Sequence, residues 1–224
     1  TDEQAQQALD DMGAVYHRLD RQTLLDRTAD LIDQSMVVGW YQGRLEWGPR
    51  ALGHRSILGD ARHPEMRDII SRKMKFREGF GPFAPSVLEE CVGQYFDIDR
   101  PSPFMLLVAQ VRDSGTPLPA ITHVDNSARI QTINRSQDEL YYDLIDTFRK
   151  KTGCGVVINT SMNVRGEPIV NTPTDAYQCF MRTHMDALIV GPFLMLKAEK
   201  LAGLTKASLR FICLLYTSPS PRDV

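Results

Sequence analysis

The 224 residues, 42% hydrophobic and 24% charged, suffice for one substantial core that needs neither disulfides nor a metal to hold it. With 26 basic residues against 28 acidic ones, the net charge of −2 argues against bulk attraction to nucleic acid or membrane, so any anion binding has to come from local clustering. The four cysteines, at 91, 154, 179 and 213, show no Cys-x-x-Cys or Cys/His ligand spacing and fit a reduced, cytoplasmic setting.

No apolar run reaches the length of a membrane span, and the first residues, TDEQA, lack the basic and apolar regions of a signal peptide. Without a starting Met, the chain reads as part of a longer gene product. Residues 1–12 have helical composition, and Leu24, Leu25, Ala29, Leu31 and Ile32 give a second helix, 21–34, its apolar face. Residues 36–41, MVVGWY, read as a strand. The stretch 43–58, GRLEWGPRALGHRSIL, follows directly and places three arginines and a histidine on a glycine- and proline-broken loop, leading into a new element at 56–58.

A helix is expected over 63–73 with Pro64 in its first turn, then a second basic stretch, KMKFREGFGPFAPSVL, over 73–88. Residues 87–95 read as helix and 104–109, FMLLVA, as a buried strand. A third polar cluster, HVDNSAR, occupies 123–129. Ser136 and Glu139 have capping-box spacing for a helix reaching Lys151 and stopped by Gly153. The short strand 156–158 runs into NTSMNVRGEP at 159–168. Thr172, Pro173 and Asp175 open a further helix to about 183, and strands follow at 187–190 and 193–196. This alternation predicts an α/β domain with a mixed twisted sheet and flanking helices. From residue 206 to 224 the pattern stops; LLYTSPSPRD resembles translated adapter sequence, so this tail is expected to be non-native or disordered.

Each cluster, taken alone, has two readings. Arg44, Arg50 and Arg55 can offer planar forks to phosphate or carboxylate oxygens, or pair with surface acids such as Glu46 and Asp60. Lys73, Lys75 and Arg77 can grip an anion or be solvated charge after a helix. His123 can be functional or structural, and Asn159, Thr160, Ser161 and Asn163 can orient a ligand or make a turn. Together the four clusters supply cationic forks and neutral donors, the combination a polyanionic ligand needs. A Gly-x-x-x-x-Gly-Lys loop and a Gly-x-Gly-x-x-Gly turn are both absent, so such a ligand would be held by arginines.

In this order, GRLEWGPRALGHRSIL, KFREGFGPFAPSVL, THVDNSARIQT and TGCGVVINTSMNVRGEPIVNTPTDA closely resemble the C-terminal domain of the carbamoyltransferase family that includes nodulation and antibiotic-tailoring O-carbamoyltransferases. The resemblance covers residues 1–199. It implies a fold like that of threonylcarbamoyl-adenylate synthase, and a reaction in which carbamoyl phosphate and ATP, with Mg2+, give carbamoyl adenylate. It also implies a missing N-terminal actin-like domain that bears a metal site and passes the carbamoyl group to a substrate hydroxyl. Small-molecule substrates and that domain are the expected partners, with no nucleic acid and no membrane.

Carried onto this sequence, the resemblance makes Arg50, Lys75 and Arg129 the groups that grip carbamoyl phosphate and the ATP phosphates. Asn159, Thr160, Ser161 and Asn163 would orient the carbamoyl amide or the nucleotide, and Arg55, Ser56, His123 and Asp125 would complete the pocket. No residue is expected to ligate a metal in this domain. Two positions depart from the family pattern. Gly81 stands where RPFAP usually has its arginine, which removes a charge-assisted contact of about 1.5–3 kcal/mol, and Asn126 stands where glycine is common. Gly81 motivates the alternative, a non-catalytic nucleotide-binding or docking module of the same fold.

Overall fold

The computed structural model describes residues 1–75, 83–113, 115–164 and 166–202, leaving aside the side chains of residues 75 and 200–202. The tail from 206 and position 81 lie outside the described residues. The architecture is mixed α/β, as the alternation predicts: a ten-stranded sheet with flanking helices.

The first half of the chain contributes helices α1 (Asp2–Asp11) and α2 (Arg21–Asp33) and strands β1 (His17–Arg18), β2 (Val38–Tyr41) and β3 (Arg55–Asp60). Short helix α3 (Met66–Ile70) runs into a π-helical turn at Ser71–Lys75, and strand β4 (Ala84–Leu88) follows. Then come α4 (Val92–Tyr95), β5 (Phe96–Asp97), β6 (Leu107–Val111), β7 (Ser127–Ile133), α5 (Glu139–Thr152) and β8 (Val156–Ser161). Helix α6 (Pro173–Arg182), strands β9 (Ala187–Val190) and β10 (Phe193–Leu196) and helix α7 (Lys197–Ala202) complete the chain described. The strand order is β1-β10-β9-β2-β3-β8-β4-β7-β6-β5, parallel only where β2 meets β9 and β4 meets β7. No helix of the described residues is long and apolar enough to cross a membrane.

Local chemistry sets most boundaries. Thr1 and Gln4 form a capping box on α1, and the Asp20 carboxylate accepts the Thr23 amide at the start of α2. Thr172 and Asp175 cap α6 reciprocally with Pro173 in its first turn, as their spacing predicts. Gly153 closes α5 in the left-handed conformation at φ +79°. Leu24, Leu25, Ala29 and Ile32 of α2 and Leu144, Ile145 and Phe148 of α5 are buried in one core with the apolar residues of the central strands.

Four expectations need correction. Residues 87–95 are not one helix: Val87 and Leu88 belong to β4, which Pro85 disguises in the sequence because it brings no N–H to a ladder. The run 104–109 is not a buried strand. Met105 sits at φ +56°, the strand begins at Leu107 one position from the sheet edge, and Phe104, Leu106 and Val108 are 63%, 73% and 62% exposed. Helix α5 is capped by Asp138, which accepts the Tyr141 amide at 2.9 Å, while Ser136 is held in a preceding turn by Asn134 Oδ1. Helix α3 starts at Met66, after Pro64, and its backbone turns π-helical from Ser71.

Candidate functional site

The loop between β2 and β3 is built from its own side chains inward. Glu46 Oε1 accepts the backbone amides of Leu52, His54 and Arg55 at 2.7, 2.8 and 3.2 Å, so one carboxylate folds the loop around itself. Gly53 packs against α5: its φ is +120°, and a Cβ there would lie 2.5 Å from the Tyr141 ring. His54 fastens the outer edge, with Nδ1 2.7 Å from the Arg44 carbonyl and Nε2 3.1 Å from Asp138 Oδ2. Both ring nitrogens thus face acceptors. The hydrogen bond to Asp138, chiefly, raises the imidazole above its ordinary value against the opposing effect of burial.

Beneath the loop lies a buried polar chain. Tyr141 donates to Ser86 Oγ at 2.9 Å, Ser86 donates to Gln131 Oε1 at 2.6 Å, and Gln131 Nε2 donates to the Leu52 carbonyl at 2.7 Å. Asn159 Nδ2 joins it, with Gln131 Oε1, Ser86 Oγ and the Ala51 carbonyl at 2.9, 3.1 and 3.2 Å. Register explains the convergence, because Ser86 faces Gln131 across β4 and β7 while Ala84 faces Asn159 across β4 and β8.

Above this floor opens a pocket of about 390 Å3, walled by Pro49, Arg50 and Ala51 from the loop, Arg129 from β7, and Asn159, Thr160 and Ser161 from β8. Asn163 follows β8, and Met105 and Phe83 supply apolar surface. Arg50 is exposed and Arg129 half-buried, and neither has an ion-pair partner among the described residues. Burial lowers the affinity of the Arg129 guanidinium for its proton, and the like charge of Arg50 lowers it further. Arg129 Nε is also buried, with no hydrogen-bond partner among the described residues. Among the described residues the lining contains no Asp or Glu. Two uncompensated cations beside amide and hydroxyl groups suit an anion rich in oxygens. No group of three or more His, Cys, Asp or Glu that could hold a metal forms among the described residues.

The structure therefore brings Arg50, Arg129, Asn159, Thr160, Ser161 and Asn163 to one wall, on strands as much as on loops. It does not bring Arg55, Ser56, His123 and Asp125 there. Arg55 is 2% exposed and gives its guanidinium to the carbonyls of Gln42, His54, Gly43 and Asn171 while lying 3.6 Å from the Tyr41 ring centre. Ser56 Oγ accepts the Gly53 amide at 3.0 Å. His123 and Asp125 make the exposed turn before β7, where Asp125 Oδ1 accepts from Ser127 N and Oγ and Asn126 takes the left-handed φ of +61°. The side chain of Lys75 lies outside the described residues. The alternative pairing also fails, since Glu46 serves amides and Asp60 pairs with Arg62 at 2.7 Å.

Sequence reasoning passed over Glu46 as a scaffold, and passed over Gln131, Ser86 and Met105. A polar Gln amid the apolar alternation of 128–133 is the one available signal, and it gives no hint of the partner.

The family described as Carbamoyltransferase C-terminus matches residues 29–197. The 3'-hydroxymethylcephem-O-carbamoyltransferase of Amycolatopsis lactamdurans is 36% identical over 174 residues, 78% of this chain and 33% of that protein. The chain spans about a third of the length of curated relatives that it matches. Among solved structures, P. abyssi Sua5 complexed with L-threonine superposes at a TM-score of 0.57 with 13% identity, covering 78% of this chain and 48% of that one. Full-length HypF in its phosphate- and nucleotide-bound form gives 0.52 with 16% identity, over 74% and 20%. These two likenesses are of fold.

Proposed function

The chain belongs to the carbamoyltransferase C-terminal family, and from that premise we propose that its pocket forms carbamoyl adenylate from carbamoyl phosphate and ATP. The observation that carries this reading is the wall shared by Arg50 and Arg129, two cations with no acid partner among the described residues, one of them partly desolvated. HypF, of similar fold, has been seen with phosphate and nucleotide bound, which supports the same choice of ligand.

One order of events balances every atom. Water cleaves carbamoyl phosphate to carbamate and orthophosphate, a carbamate oxygen then attacks the α-phosphorus of ATP, and the bond to the β-phosphate breaks to release pyrophosphate. Charge accumulates on non-bridging and departing oxygens, so fixed guanidinium forks lower the barrier by electrostatics and no protein nucleophile is required. Arg50 and Arg129 hold these oxygens, Lys75 adds a third cation, and Asn159, Thr160, Ser161 and Asn163 orient the bound groups. Arg55 and Glu46 act through the loop rather than on the ligand. Mg2+ would arrive on the nucleotide phosphates.

Transfer of the carbamoyl group to a hydroxyl acceptor belongs, in this reading, to a partner domain of actin-like fold beyond this chain, in the cytoplasm. The test is carbamoyl-phosphate-dependent release of pyrophosphate from ATP, with Arg50→Ala and Arg129→Ala as controls that lose it. Gly81 in place of the usual arginine favours a second reading, a module that binds nucleotide without turnover. Detection of carbamoyl adenylate excludes that one, and ATP binding with no adenylate excludes the first.

A further inference from the structure

Glu46 carries a carboxylate on the loop that walls an anion pocket, and charge alone makes that a mismatch, because a fixed negative group works against an anion entering nearby. Its hydrogen bonds give it another part. Glu46 Oε1 accepts the Leu52 amide at 2.7 Å, which closes a ring of chain containing Pro49, Arg50 and Ala51, and it draws in the amides of His54 and Arg55 at 2.8 and 3.2 Å. From the sheet side, Asn159 Nδ2 and Gln131 Nε2 hold the carbonyls of Ala51 and Leu52 at 3.2 and 2.7 Å. The two residues after Arg50 are thus fixed by the sheet, and Leu52 is fixed by Glu46 as well. The Arg50 side chain, on the pocket wall, has no hydrogen bond or ion pair among the described residues, so the backbone of this ring is what aims it.

We propose that Glu46 is the positioning residue of Arg50: its carboxylate shapes the ring that points the guanidinium at the ligand, and so strengthens the binding of anions although it shares their charge. The inference rests on the pocket reading above. Two effects of Glu46 then have opposite signs. Removing its charge favours an anion, and removing its acceptor oxygen leaves Arg50 to be ordered by the ligand at the ligand's expense. The second effect sets the expected loss at about 3- to 10-fold. Glu46 Oε2 has no hydrogen-bond partner among the described residues, so a glutamine amide displaces no bond there.

Isothermal titration of the 224-residue chain with pyrophosphate tests it. Glu46→Ala is expected to bind about 3- to 10-fold more weakly than wild type, while Glu46→Gln, which keeps the acceptor oxygen and drops the charge, stays within about twofold or binds more tightly. In an Arg50→Ala background, Glu46→Ala is expected to cause no further loss. If the alanine variant does not fold, Glu46→Asp keeps the charge, withdraws the oxygen and is expected to show the same loss. Unchanged or tighter binding by Glu46→Ala overturns the inference and leaves the proposed reaction standing, as does a loss of equal size in the Arg50→Ala background or a glutamine variant no better than alanine. If Arg50→Ala itself leaves pyrophosphate affinity unchanged, the pocket reading and the inference fall together.

Discussion

Gln131, on β7, donates through Nε2 to the carbonyl of Leu52 at 2.7 Å, and this bond ties the arginine-bearing loop to the sheet. Replacement by Leu leaves the Leu52 carbonyl and the Asn159 and Ser86 donors short of a partner. The expected loss is about 1–3 kcal/mol of unfolding free energy, read by urea denaturation, together with weaker phosphate binding. A variant with unchanged stability and binding would show that the loop holds its shape without this bond.

Arg129 is a cation placed where its own burial and Arg50 both oppose its charge. Removing it as Arg129→Met should leave the ligand-free protein at least as thermally stable as the wild type while pyrophosphate affinity falls about tenfold or more. Thermal shift with and without pyrophosphate checks both halves. A lower melting temperature with unchanged pyrophosphate stabilisation would mark Arg129 as structural.

His54 has a raised pKa in the fold, chiefly from its hydrogen bond to Asp138, so protonated His54 stabilises the folded state. The contribution is fully present below the ordinary histidine value of 6.5 and is lost as pH rises through the higher folded value. Comparison of wild type with His54→Asn between about pH 5 and 8 should show the stability gap widest at the acid end. A gap that is flat with pH means that the ion pair does not contribute.

Gly53→Ala places a methyl group at φ +120° and 2.5 Å from the Tyr141 ring. The loop has to move off α5, at a cost of about 1–3 kcal/mol and with Arg50 displaced from Arg129. Denaturation and phosphate titration should both register the change; normal phosphate affinity would mean the loop adapts without moving its arginine.

The α/β class and most elements could be read from the sequence because capping residues and apolar runs act locally. That Arg55 would part from Arg129 could not. Both are arginines in polar stretches, yet one is enclosed by four carbonyls and the other opens onto the pocket, a difference set by strand register between segments far apart in the chain. Asn159 was visible as a polar residue ending an apolar strand, but the direction of its amide depends on Gln131 and on two loop carbonyls that no spacing encodes. Strand β4 was hidden by Pro85, and the exposure of 104–108 by the sheet order that puts β6 next to an edge.

The sheet joins the two ends of the chain: β2 runs parallel to β9, with Val38 beside Ala187, and β1 pairs with β10, with His17 beside Leu194. During synthesis, β2 and the helices that follow α1 are made long before these partners exist. All of β1 and one edge of β2, at Val38 and Trp40, therefore wait for partners until residues 187–196 leave the ribosome. Closure by such distant segments makes folding slow relative to a helical domain of this size, and a chain cut short of Ala187 loses the strands that hold its beginning in place.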